Sequence, residues 1–330
     1  MSRIYSSCSR REFRRLSSAL LILLALAVVL PCFAVFHGGA RDFSPRRAYD
    51  NLTNISLSAL SLTVPTAPGK QVSEKTKSVL DYSNINDGYI MVKYTGKADS
   101  AALVMKAPTG QVFNYKPPAS VLKKPAAFTF TEGSGKYTIQ FCEPVGKTGR
   151  YTVLDTLTLD VKLKSETAPF LVSNYYVQFD ANSAITKLGE QIAGSKSKPL
   201  DKVSAVYDWM IKNVSYDKQK AATVQSGYAP DLNGMLKSRK GICFDFAAGM
   251  SAMLRSQGVP TRLVVGYAGT AYHAWISVWT KNTGWIDNVI YFDGKSWVRM
   301  DPTFAASAKS SDAVMKYIGD GKNYKELFSY

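Results

Sequence analysis

Cys243, His273 and Asp301 are the residues of this 330-residue chain whose types and spacing suit nucleophilic chemistry. Cys243 lies in "SRKGICFDFAAGM", where a basic, glycine-containing turn meets an apolar run. From there Phe246, Ala247, Met250, Met253 and Leu254 recur at helical spacing until Gln257-Gly258 ends the pattern. The thiol is thus expected in the first turn of a buried helix, where unpaired N–H groups and the positive end of the helix dipole favour a thiolate. Gly241 leaves room for another backbone, such as that of an acyl substrate. Asp245, one turn in, opposes the thiolate, so a basic partner is needed. A plainer reading also stands, in which Cys243 only begins the apolar stripe of a core helix; a third makes it the disulfide partner of Cys142.

The basic partner has few candidates. The chain has two histidines, His37 near the N-terminus and His273, which follows Cys243 by 30 residues and opens the strand-like "HAWISVWT". A helix-borne thiol and a strand-start imidazole can meet if the helix packs across the sheet. Asp301 follows 28 residues later, at the end of "KSWVRMDPT", where its carboxylate would orient the imidazole. Asp287, Asn288 and Asp293 compete for that third role, and an Asp before Pro is also ordinary turn chemistry. The N–H of Cys243 is one oxyanion donor by position; Tyr228 and Asn233 in the preceding loop are candidates for the second. Trp275 and Trp279 share a strand face with His273, either lining a cleft or packing.

"KGICFDFAAGMSAMLRSQGVPTRLVVGYAG", "YHAWISVW" and "WVRMDPTF" resemble, in order and spacing, the core of the transglutaminase-like superfamily, and "VYDWMIKNVSYD" resembles the helix before that core in bacterial members. The resemblance covers roughly residues 200–305. It implies a papain-like α+β fold with Cys243 as nucleophile, His273 as base and acid, and Asp301 as orienting group. One departure is "TKNTGWIDNVIYFDGK", a longer hairpin between the His and Asp strands than many bacterial relatives carry.

The elements that must position these groups divide the chain. Residues 41–75, rich in Ser, Thr, Asn and Pro, suggest a stalk or linker. Residues 76–165 hold short runs of β-branched and aromatic residues between turns such as Ala107-Pro-Thr-Gly110, the pattern of a small Ig-like β-sandwich. In "KYTIQFC", Tyr137, Ile139 and Phe141 share one face, leaving Cys142 outside the sandwich core. Residues 166–330 read as an α+β domain: a strand "VSNYYVQFD", helices over "SAITKLGEQIAG" and "KPLDKVSAVYDWMIKNV", the cysteine helix, then antiparallel strands.

The first 40 residues suggest export. Arg3, Arg10, Arg11, Arg14 and Arg15 precede an uncharged stretch, residues 16–36. Its 21 residues suffice to span a bilayer as a retained anchor; Pro31 and the small residues after it also fit a cleaved signal peptide. The net charge is +16, and residues 1–47 contribute eight Arg against two acids, leaving +10 for the rest. In an exported protein that charge points to anionic envelope polymers or lipid headgroups rather than nucleic acid. No cofactor or metal is implied, since one histidine beyond the export segment cannot build a His-based site and no dense acidic loop is present. The expected function is cysteine-dependent acyl transfer or hydrolysis on a protein or peptide in the cell envelope. The alternative is a surface binding or scaffolding protein that keeps the fold without the activity.

Overall fold

A computed structural model describes residues 62–287, 290–292, 297–299 and 324–330. Asp301, the rivals Asn288 and Asp293, and residues 1–40, where an export signal is expected, lie outside them. Among the described residues no helix is long and apolar enough to cross a membrane.

Two four-stranded antiparallel sheets come first. Strands β1 (Val72–Lys75), β2 (Ser78–Asp81), β3 (Tyr89–Tyr94) and β6 (Ala126–Thr129) form one, in the order β1-β2-β3-β6. Strands β4 (Ala102–Lys106), β5 (Val112–Tyr115), β7 (Gly135–Pro144) and β8 (Tyr151–Val161) form the other, in the order β5-β4-β7-β8. Two-residue alternation turns Tyr137, Ile139 and Phe141 inward against Ile90, Val92 and Tyr94, all completely buried. Cys142 follows a register shift after Phe141 and is itself buried, at 3% exposure.

The segment from Leu171 to Asp180 is irregular, where the apolar pattern of "VSNYYVQFD" predicts a strand. The reason is local. The side-chain oxygen of Asn174 accepts the N–H groups of Tyr176 at 3.1 Å and Val177 at 2.9 Å, in competition with a strand ladder. The buried rings therefore come from a folded loop.

Helices α1 (Ala184–Ala193) and α2 (Pro199–Asn213) follow as the spacing predicts, α2 starting on a proline that loses no helical bond at that position. Val203, Val206, Tyr207 and Met210 form its buried stripe. The stretch before Cys243 carries two short helices, α3 (Lys218–Thr223) and α4 (Leu232–Ser238), and a parallel pair of two-residue strands, β9 (Ser215–Tyr216) and β10 (Lys240–Gly241). Helix α5 (Cys243–Ser256) is buried nearly all round, packed by α1 and α2 and by strands β11 (Thr261–Ala268) and β12 (Ala271–Thr280). The third four-stranded sheet is ordered β13-β12-β11-β16, with β13 at Gly284–Ile286 and β16 at Tyr324–Ser329. A separate antiparallel pair joins β14 (Ile290–Phe292), from the expected insertion, to β15 (Trp297–Arg299), the strand expected to lead to Asp301, while β13 of the same insertion pairs with β12 instead.

The sandwich is welded to the α+β part. Phe328 and Tyr330, at the end of β16, pack on Phe113 with ring centroids 5.7 Å away in each case, and Tyr330 packs on Tyr115 at 5.8 Å. Tyr176 lies 4.7 Å from Tyr330 and 5.1 Å from Phe244, the neighbour of Cys243. An unbroken path of rings thus runs from the sandwich to the start of α5. Arg255 ties the other end of that helix, donating to the carbonyls of Thr261 at 2.9 Å, Val172 at 2.8 Å and Tyr330.

Candidate active site

Cys243 is the first residue of α5, partly exposed, with a thiol not bridged to Cys142. The position is the one the sequence suggests. The surroundings were less readable. Chain segments that precede the helix clamp its entry: Ser215 N–H donates to Arg239 O and Asp217 N–H to Gly241 O, both at 2.9 Å. The "SYD" after α2 is therefore a backbone splint for the residues just before the cysteine.

Asp245, two positions into the helix from Cys243, is wholly buried and fully engaged. Its Oδ2 accepts the Ile242 N–H at 2.9 Å, satisfying one of the orphan donors of the helix start. The same oxygen accepts Lys220 Nζ at 2.7 Å, and Oδ1 accepts the Tyr228 hydroxyl. Lys220 also donates to Tyr228 Oη at 2.6 Å and sits 4.5 Å from the centre of its ring. Burial first, then the bond to Asp245, pushes the Tyr228 phenol far above its usual range. Asp217 caps α3 by accepting the Lys220 N–H at 2.9 Å, which fixes the backbone of the lysine.

Gly241 has a different use from the one its sequence suggests. A Cβ there would stand 2.8 Å from the Cβ of Asp245, so the close approach it permits is that of the carboxylate side chain.

His273 is buried, at 6% exposure, and is paired with Gly266 across the β11–β12 ladder. Strand alternation places it on one face with Trp275 and Ser277, its ring stacked 6.4 Å from the Trp275 ring. The other face carries Ala274, Ile276 and Val278, with Leu263 and Val265 of β11; these share a core cluster with Phe246, Ala247, Met250 and Leu254 of α5. Trp275 and Val264, though buried, stand outside that cluster. Helix α5 thus packs on the side of β12 opposite His273. Contact between sulfur and imidazole requires the imidazole to reach round the start of the strand.

Tyr272, on the α5 side, lies within electrostatic range of Cys243. Its phenol is pushed up to about 12, by burial first, then by Tyr267 and Cys243. The residue as a whole is 42% exposed.

The remaining candidates separate. Tyr228 sits beside the start of α5 with its hydroxyl committed to Asp245. Asn233, on α4, lines a cavity of about 350 Å³ together with Met91, Pro125, Asn174 and Gln178, away from the start of α5. Trp275 packs edge-on against Tyr324 at 5.1 Å and is 3% exposed. Its ring also closes the space at Gly266, where a Cβ would meet Trp275 Cη2 at 2.8 Å and Lys325 O at 2.0 Å. Asp287 contributes to the electrostatics of Arg262 and Glu326. Lys220 escaped sequence reasoning, because nothing local marks one lysine among many. Asp245 carried a usable signal, an acid at the third position of a helix.

Residues 186–302 match the family model described as the transglutaminase-like superfamily core. Among curated relatives, the uncharacterized protein YebA of Bacillus subtilis is 27% identical over 180 residues, 51% of this chain and 23% of that protein. A protein-glutamine gamma-glutamyltransferase of Pseudomonas aeruginosa is 24% identical over 128 residues, 34% of this chain and 19% of that protein. The chain thus spans less than a quarter of the length of either relative. A solved structure from Cytophaga hutchinsonii, provisionally named a cysteine protease, aligns over 79% of this chain and 73% of its own at 15% identity, with a TM-score of 0.37. Red sea bream transglutaminase aligns over 72% and 55% at 12% identity, with a TM-score of 0.31. The region from α1 to beyond the His strand is a transglutaminase-like superfamily domain, with a mixed core of helices and antiparallel sheet.

Proposed function

We propose that this chain is an exported, cysteine-dependent acyl-transfer enzyme of the cell envelope. The observation that carries the reading is a partly exposed thiol on the first residue of a buried helix, the position where backbone N–H groups and the helix dipole stabilise a thiolate. Cys243 passes its thiol proton to His273 and attacks a carboxamide or peptide carbonyl carbon, and the Cys243 N–H donates to the oxyanion. His273 gives its proton to the leaving amine as the C–N bond breaks, leaving a thioester on sulfur. Asp301 holds the imidazole in the required tautomer. Water then attacks the thioester, His273 taking its proton, and the acid leaves as the thiol reforms. A primary amine in place of water gives a new amide, a branch supported by the relative named as a protein-glutamine gamma-glutamyltransferase. Hydrolysis is the default, because water needs no site of its own.

Residues 16–36 would hold the chain to the membrane or be cleaved, leaving the rest outside. The substrate would then be a protein or peptide of the envelope.

A scaffold that keeps the fold without the activity is the second reading. It is favoured by one observation, the packing of α5 against the face of β12 opposite His273.

The test incubates the full chain and its Cys243→Ala variant with envelope extract and a labelled primary amine, followed by mass spectrometry. Thiol-dependent new peptide termini indicate hydrolysis, and thiol-dependent amine adducts indicate transfer. Products identical in both samples sink the enzyme reading.

A further inference from the structure

We propose that Lys220 and Asp245 act as a pair of positioning residues that set the ionisation of the Cys243 thiol, Lys220 cancelling a carboxylate that would otherwise hold the sulfur protonated. The inference deepens the nucleophile reading of Cys243 and rests on it for its functional meaning, although its measurement does not.

The geometry is specific. A helix start favours an anion, yet the chain has put an acid into that same first turn, wholly buried, with its oxygen 2.9 Å from the N–H of the residue before the cysteine. A lone carboxylate there would raise the cost of a neighbouring thiolate, since two like charges in a poorly solvated site repel. Lys220 removes that penalty from a different element. Its Nζ reaches Asp245 Oδ2 at 2.7 Å while its side chain stays 32% exposed, so the cation is partly hydrated and the acid is not. Tyr228 occupies the second oxygen and the lysine together, leaving Asp245 with three partners. The helix keeps the capping value of the acid at Ile242 without its charge.

Of the titratable groups on neighbouring elements, Lys220 on α3 and Tyr228 in the loop before α4 bond Asp245, Tyr272 at the start of β12 interacts electrostatically with Cys243, and His273 stands on the other face of that strand. Tyr272 keeps its phenol protonated to about pH 12, so it adds no charge at neutral pH. Exchanging Lys220 or Asp245 changes the fixed charge at the start of α5 with opposite signs.

The rate of Cys243 alkylation by iodoacetamide, measured against pH on the folded full chain, reports the thiol midpoint whether or not the protein turns over any substrate. Cys142 is replaced by Ser throughout to leave one reactive thiol in the described fold, and peptide mapping assigns the label. Lys220→Met is expected to raise the midpoint by about one pH unit, roughly a tenfold loss of rate below it. Asp245→Asn is expected to lower it by a similar amount. Lys220→Arg should stay near the parent, and Lys220→Met combined with Asp245→Asn should return towards it. Loss of packing alone does not produce shifts of opposite sign. If Lys220→Met fails to fold, the downward shift in Asp245→Asn decides. Unmoved midpoints in folded variants overturn the proposal. A parent thiol that titrates like free cysteine, with variants that still shift in opposite directions, upholds this pairing and counts against the nucleophile reading instead.

Discussion

A methyl group on Gly241 would press on Asp245, Cβ to Cβ, at 2.8 Å. Gly241→Ala must therefore displace the carboxylate from the Ile242 N–H or shift β10. The expected cost is about 1–3 kcal/mol by overpacking, read as a lower urea midpoint with an unchanged slope. Cys243 alkylation should change alongside it. A variant as stable as the parent would show that the clamp at the helix entry yields freely.

His273 is the residue on which the enzyme and scaffold readings part. If the imidazole reaches the sulfur, His273→Ala should slow neutral-pH alkylation of Cys243 by tenfold or more, within the range for loss of a general base. Tyr272→Phe, which removes only a hydroxyl on the α5 side, should change it less than twofold by comparison. Equal rates in parent and His273→Ala would leave the thiol without its base and favour the scaffold.

Arg255 holds three carbonyls from three parts of the chain with a guanidinium that is 2% exposed. Burial pushes that guanidinium down to about 9. Arg255→Met keeps much of the volume but leaves the acceptors unmet in a dry site. A loss of about 3–5 kcal/mol is expected, several charged hydrogen bonds being removed at once. Equilibrium unfolding in urea measures it, and a loss below about 1 kcal/mol would mean that water replaces the arginine without penalty.

The aromatic path predicts a loss of stability at alkaline pH. Burial pushes Tyr175 up to about 12, and Tyr115, Tyr176 and Tyr330 higher still. Unfolded phenols ionise near 10, so above that pH the native state binds more protons than the unfolded one. Stability is therefore full below about 10 and falls as pH rises towards 12. Tyrosinate absorbance should rise together with the loss of circular dichroism. Full ionisation of the tyrosines in a protein that stays folded would contradict the burial.

The rings also link the sandwich to the start of α5. Phe113→Ala, in β5, removes the partner of Phe328 and Tyr330 and should cost about 3–5 kcal/mol. If the path transmits to Phe244, the Cys243 alkylation rate shifts as well; an unchanged rate in a destabilised but folded variant would limit the seam to stability.

What the sequence determined by itself was set by short-range periodicity. The three-to-four spacing of Val203, Val206, Tyr207 and Met210 marks α2, that of Phe246, Ala247, Met250 and Met253 marks α5, and Cys243 at the start of α5 follows from where the stripe begins. The alternation of Tyr137, Ile139 and Phe141 marks a sandwich strand. These patterns are visible because one residue and its neighbour three or four places on share a helix face, whatever the rest of the chain does. The strand expected over "VSNYYVQFD" failed at the same scale, where the side chain of Asn174 competed with the backbone for its own N–H groups. Tertiary structure alone decided which partners meet. Lys220 finds Asp245 across 25 residues, Arg255 finds Val172 across 83, and Phe113 finds Tyr330 at the far end of the chain. The face on which His273 stands depends on ladder register, since a slip of one residue would reverse it. Such pairings arise from packing and register, and no local spacing encodes them.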